Sequence, residues 1–300
     1  MTTAIRDAAW AFAAYETVRE RLPSASFEGI EPSTARDLSD AAQGADLVLL
    51  DAYGVLNVGE SPVPGAVDRV AALRNAGKSV KVVSNSAGYP KRVMMNRWRR
   101  LGFDFTTDEV VSSRDTALAY ASSMSGVRWG VIASTAYGSE ELEGIEHELL
   151  DDEVGWDADA FLFLGSEGWD EARQARLESA LADQPRPLLI GNPDIVAPRE
   201  GGLSLEPGYW AHRLADRGAV VPTFLGKPFS PVFDRALADT GLSPDRVAMV
   251  GDTLHTDILG GRAIAVQTVL VTGHGSLAGM NVEAAIAKSG IAPHRIVHSI

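Results

Sequence analysis

A chain of 300 residues is too long for one small core and fits either one large α/β domain or two of ordinary size. Its 45% hydrophobic and 22% charged content is that of a soluble globular protein, and no run approaches the roughly 20 apolar residues that span a bilayer. A formal charge of −13 argues against nucleic acid and anionic membranes as partners, and the lack of cysteine excludes disulfides, thiolate metal sites and a cysteine nucleophile.

The first 44 residues precede the first strand and read as a helical extension. Their apolar centre is short, interrupted by Asp7 and followed by Glu16, Arg19, Glu20 and Arg21, which suits an amphipathic helix rather than a signal peptide. No export is expected, and the protein is read as cytoplasmic. The helix is expected to pack on the core, with a homodimer contact as the alternative. From ADLVLL onward, apolar runs of strand length alternate with helical patterns: PGAVDRVAALRNAG, SVKVVSN, PKRVMMNRWRRLG. Pro near each helix start and Gly near each end mark βαβ units and a parallel sheet. The same rhythm returns in SPVFDRALADTG, DRVAMVGD, DILGGRAIA and QTVLV.

Between these halves, RDTALAYASSM and DEARQARLESALAD read as helices, while VRWGVIAS, DAFLFLG and PLLIGNPD read as extended. The expected architecture is therefore a doubly wound parallel-sheet, Rossmann-like core over residues 1–111 and 209–300, with an inserted α/β cap domain over residues 112–208. The acidic stretch ELEGIEHELLDDE, residues 141–153, reads as a solvated face of the insert. Trp156, Trp169, Trp210 and Tyr137 are read mainly as filling the insert's core.

Ligands of parallel sheets sit at the carboxyl ends of strands. The strand at 46–50 ends in Asp51, that at 79–83 in Ser84-Asn85, the segment 222–226 in Lys227, and the strand at 247–250 in Gly251-Asp252, with Asp257 following. Several carboxylates crowd together only if a cation neutralises them, and hard oxygen ligands favour Mg²⁺. A site that joins such a cation to an ammonium, a hydroxyl and a free carboxylate suits phosphoryl transfer, with Asp51 attacking a small phosphate ester and Ser84 and the N–H groups after it, from Asn85 on, holding the phosphate oxygens.

The ordered set DxxGVL, VVSNS, GKP and GDTLHTD resembles the four motifs of the haloacid dehalogenase superfamily, most of whose members are Mg²⁺-dependent phosphohydrolases. The insert's position and GNPD at 191–194 resemble its subclass IIA, which includes sugar- and nucleotide-phosphate phosphatases and 4-nitrophenylphosphatases. The resemblance implies Asp51 as nucleophile, Ser84 as phosphate-binding hydroxyl, Lys227 as the charge-neutralising lysine, Asp252 as a metal ligand and Asp257 as an outer acid that orients the metal's water or pairs with Lys227. It also implies an acid two residues after the nucleophile, where this chain has Tyr53. The Tyr53 backbone carbonyl still suits Mg²⁺, but a phenol is a poor proton shuttle at neutral pH. Two readings stay open: a phosphohydrolase slowed or restricted to good leaving groups, and a weak or inactive protein that binds a phosphorylated ligand. Dehalogenation fits poorly with the acidic pair Asp252 and Asp257. His255 is the one nearby candidate to replace the missing acid, against its reading as an ordinary loop residue. Asn192 and Asp194 either face the substrate's non-phosphate part or only shape the turn around Pro193.

Overall fold

The computed structural model describes residues 7–199 and 202–300; the first six residues of the N-terminal extension lie outside the described residues. The larger sheet has strand order Ser33–Thr34, Arg295–Val297, Gln267–Val271, Val247–Gly251, Leu47–Leu50, Ser79–Ser84 and Val110–Ser112, parallel throughout. A continuous apolar run such as LVLL suits this sheet because both of its faces are covered. Val48 and Leu50 pack with the helices Ala66–Asn75 and Lys91–Arg100, whereas Leu47 and Leu49 pack with Val232 and Phe233 of the helix Ser230–Leu237. Each such leucine contributes about 1.5–3 kcal/mol by leaving water, so the middle strands are the best-anchored part of the chain.

The helices begin and end as local chemistry dictates. In Lys91–Arg100 the residues Met94, Met95 and Trp98 are buried on one side while Arg97, Arg99 and Arg100 crowd the last turn, where positive charge complements the helix dipole. Ser112 caps Ser113–Ser123 reciprocally with Asp115, and Asp170 caps Glu171–Asp183 through two backbone N–H groups.

The smaller sheet is also parallel, in the order Thr223–Phe224, Leu188–Ile190, Ala160–Phe163, Trp129–Ile132 and His147–Leu149. One of its edges corrects the sequence reading: Thr223–Phe224, read as part of the core, pairs with Leu188–Ile190. The other edge strand, His147–Leu149, lies within the acidic stretch 141–153, whose Glu143, Glu146, Asp151, Asp152 and Glu153 are exposed. Both are too short to show a period. The extension is likewise more than helical, since Ser33–Thr34 forms the edge of the larger sheet. Trp169 and Trp210 fill the smaller sheet's apolar cluster, with Trp156 against it, as expected; Tyr137 instead meets Tyr89 edge-on at the cavity.

The helix Ala8–Thr17, here α1, starts at Asp7, whose side chain accepts the Trp10 N–H at 2.8 Å. Phe12, Tyr15 and Val18 pack into a cluster with Leu254, Ile258, Leu259 and Leu270 of the larger sheet's layer and with Ile195 beside the smaller sheet. Packing on the core is therefore what the helix does. Among the described residues no helix is long and apolar enough to cross a membrane.

Candidate active site

Sheet register brings the separate motifs to one place. Leu50 lies opposite Val250, and the Asp51 N–H donates to the Val250 carbonyl at 2.8 Å, so Asp51 and Asp252 leave adjacent strands at the same edge. Ser79–Ser84 flanks Leu47–Leu50 on the other side and delivers Ser84 to that edge. Lys227 arrives from the end of Thr223–Phe224: its ammonium donates to Asp51 Oδ1 and, at 2.7 Å, to Asp257 Oδ1. Carboxylate oxygens of Asp51, Asp252 and Asp257 lie within 4.8 Å of one another.

Three carboxylates cluster around one ammonium that pairs with two of them, Asp51 and Asp257, and that imbalance governs the electrostatics. Burial, then Asp51 and Asp257, holds the Asp252 carboxyl well above the usual carboxylate range. Burial raises Asp257 to about 6; Lys227 opposes this and Asp51 adds to it. For Lys227 burial alone would favour loss of the proton, but Asp257 and Asp51 outweigh it and hold the ammonium charged. The lysine thus neutralises part of the site, and the remainder takes up either protons or a cation. Buried, mutually close, hard oxygen donors fit a divalent ion such as Mg²⁺.

The Asp252 carboxylate is positioned by residues the motif reading missed. Its Oδ2 accepts the Ser276 backbone N–H and, at 2.8 Å, the Ser276 hydroxyl, while Oδ1 accepts from Thr253 Oγ1 at 3.2 Å. A Cβ at Gly54 or Gly275, both at positive φ, would come within 2.8 Å and 2.0 Å of Asp252 Oδ2. The signal was present as GHGS after QTVLV, at another strand end of the same sheet.

Tyr53 is half-buried and lines the cavity above Asp51. Burial, then Asp252, raises its phenol above the ordinary tyrosine value, so the ring stays neutral. The Asn85 side chain has a structural part of its own, apart from the backbone N–H expected at the phosphate. Its amide donates to Asp194 Oδ1 and to the Lys227 carbonyl, both at 2.8 Å, and its Oδ1 accepts the Lys227 N–H at 2.7 Å. That side chain ties Lys227 in place. Asn192 similarly accepts the Asp194 N–H at 2.9 Å and donates to Glu206 at 3.2 Å, shaping the turn it belongs to. Asp194 faces the cavity yet lies deep in the fold; burial keeps its proton up to about pH 7, against the Asn85 hydrogen bond and Lys227 and with Asp51 and Asp257 adding to it. His255 is turned to α1: it stacks on Tyr15 at 5.1 Å, meets Phe12 edge-on at 5.1 Å and bonds Glu16 through Nε2. That nitrogen is engaged, which removes the obvious route to a replacement acid.

A family model described as haloacid dehalogenase-like hydrolase matches residues 48–146, and one described as HAD-hydrolase-like matches residues 224–300. Residues 8–22 lie outside both. Chronophin from Rattus norvegicus is 32% identical over 91% of this chain and 90% of its own length. The glycerol-3-phosphate phosphatase of Mus musculus is 30% identical over 77% of this chain and 80% of its own. Among solved structures, the p-nitrophenyl phosphatase of Archaeoglobus fulgidus aligns with a TM-score of 0.71 at 24% identity, over 85% of this chain and 96% of that one. A glycerol phosphate phosphatase from Mycobacterium tuberculosis in complex with magnesium aligns with a TM-score of 0.70 at 24% identity, over 86% and 77%.

Proposed function

From the premise that this chain belongs to the haloacid dehalogenase-like hydrolases, we propose that it is a Mg²⁺-dependent phosphohydrolase of small phosphate monoesters that works through an aspartyl phosphate on Asp51. The observation that carries this reading is the Lys227 ammonium shared by Asp51 and Asp257, with Asp252 inside the same 4.8 Å cluster. The relative named glycerol-3-phosphate phosphatase supports a phosphoric monoester hydrolase.

In this reading Asp51, Asp252 and the Tyr53 carbonyl would hold Mg²⁺, with Asp257 as an outer acid. When bound, the ion supplies positive charge that offsets the repulsion between carboxylates and a phosphate dianion. Lys227 adds a second, fixed positive charge at the attacking oxygen, and the Ser84 hydroxyl binds a phosphate oxygen. An Asp51 oxygen forms a bond to phosphorus while the ester P–O bond breaks and the alcohol oxygen leaves with the electron pair. Water then attacks phosphorus and gives up a proton to the departing phosphate or to solvent, the Asp51 O–P bond breaks with its electron pair returning to the carboxylate, and inorganic phosphate departs. The smaller sheet with its helices serves as the cap that limits water at the site, and its share of the chain extends past the expected boundary at 208 to include Thr223–Phe224.

Held above its ordinary value, the Tyr53 phenol is a weak acid as well as no base at neutral pH, so esters whose leaving group needs no proton are favoured. General acid and base help is worth about 10²–10⁴ in rate. The expected outcome is Mg²⁺-dependent hydrolysis of p-nitrophenyl phosphate well above that of glycerol 3-phosphate, with Tyr53→Asp speeding the second ester more than the first. Wild type no faster than Asp51→Asn on either ester would leave only a phosphate-binding protein.

A further inference from the structure

The cavity above Asp51 measures about 720 Å³, far more than a phosphate fills and within the range that holds small organic ligands. Part of its wall is α1. Ala8, Ala11, Phe12 and Tyr15 all line it, and their spacing of three, four and seven residues puts them on one helix face. Leu205 and Leu277 line the same cavity and add apolar surface to that of the helix, beside the polar side chains of Ser204, Thr256 and Ser276. The other charged groups reaching it are mostly acidic, Glu167 and Asp194 among them.

The helix is fixed on both sides. The Tyr15 ring stacks on His255 of the larger sheet's loop, while its hydroxyl accepts the Ile195 N–H at 3.2 Å from the turn after Asn192. Trp10 contacts Tyr209 with ring centres 6.3 Å apart, and Arg21 pairs with Asp216. A wall held at both ends keeps its shape, and the two alanines set how much room it leaves.

We propose that α1 is the wall of the leaving-group subsite, with Ala8 and Ala11 setting its size, and that the substrate is a monoester of an uncharged alcohol with an apolar body, aryl or alkyl, rather than of a polyol or an alcohol bearing a second anion. Methyl groups and aromatic rings offer such a body dispersion contact and removal from water, but give a polyol's hydroxyls no partners. The carboxyl groups at the cavity repel a second anion. The substrate class rests on the phosphatase reading, whereas the wall is testable by binding alone.

Calorimetry of the full chain with Mg²⁺ would compare phenylphosphonate with methylphosphonate, neither of which is an ester. Wild type is expected to prefer the phenyl compound, and Ala11→Trp to reduce that preference about tenfold or more by filling the subsite. Ala8→Leu gives the same test should the tryptophan variant fail to fold. Equal loss of both ligands, no change in their ratio, or a wild type that prefers neither would overturn the proposal. Wild-type turnover of p-nitrophenyl phosphate reads the phosphatase assignment separately: its absence alongside the expected binding pattern would remove the reaction and leave the wall.

Discussion

Gly54 shows how tightly the backbone serves the acids around it. With φ at +76° and a Cβ position 2.8 Å from the Asp252 carboxyl, any side chain there is strained and also displaces a proposed metal ligand. Gly54→Ala is expected to cost about 1–3 kcal/mol by denaturant unfolding and to weaken Mg²⁺ uptake by calorimetry. Asp194 carries a pH prediction. Its folded carboxyl titrates at about 7 against an unfolded value of about 4, so between these the folded state binds more protons and stability falls as pH rises. The difference between wild type and Asp194→Asn should therefore shift by at most about 1.4 kcal/mol per pH unit across that window, against wild type toward neutral pH. The ordered set carried the reading of the site: Asp51 and Asp252 were legible because each follows a strand directly, and Lys227 and Asp257 because of their places in a fixed motif order. Asn85 was not, since nothing in its neighbours announces that its amide is engaged by Asp194 and Lys227, 109 and 142 residues away.

Among the elements, α1 was legible as a helix but not as a wall of the cavity. Its apolar residues and its cap at Asp7 are local facts; the partners of Phe12 and Tyr15 come from residues beyond 190. Phe12 is buried against Tyr15, Leu254 and their neighbours, and Phe12→Ala should cost about 3–5 kcal/mol in unfolding free energy. A cost under about 1 kcal/mol would mean that α1 is only loosely docked. The strands of two or three residues at 33–34 and 147–149 escaped the sequence reading because alternation needs more positions than they have, and that at 223–224 was found in place but assigned to the wrong sheet.

For the molecule as a whole, acidity concentrates where Asp51, Asp252 and Asp257 meet. A cation that binds only the folded state raises stability, by about 2.7 kcal/mol at a hundredfold excess over Kd. Thermal unfolding should thus show a melting temperature raised by Mg²⁺, lowered again by chelator, and insensitive to both in Asp252→Asn. Because Asp252 and Asp257 hold protons above the usual range, protons compete with the ion, so the rise should shrink as pH falls, Asp257 taking up its proton at about pH 6. A melting temperature indifferent to Mg²⁺ at pH 8 would remove the ion from the proposed function.

The sequence by itself determined the parallel α/β layering, the order of the four strand-end motifs and the substitution at Tyr53, because periodicity, capping and residue type are properties of neighbours in the chain. Only the tertiary structure decided that Ser276 holds Asp252, that Asn85 ties Lys227, that His255 turns to Glu16, and that α1 lines the cavity over Asp51. Those are contacts between residues far apart in the chain, made only once both sheets are packed.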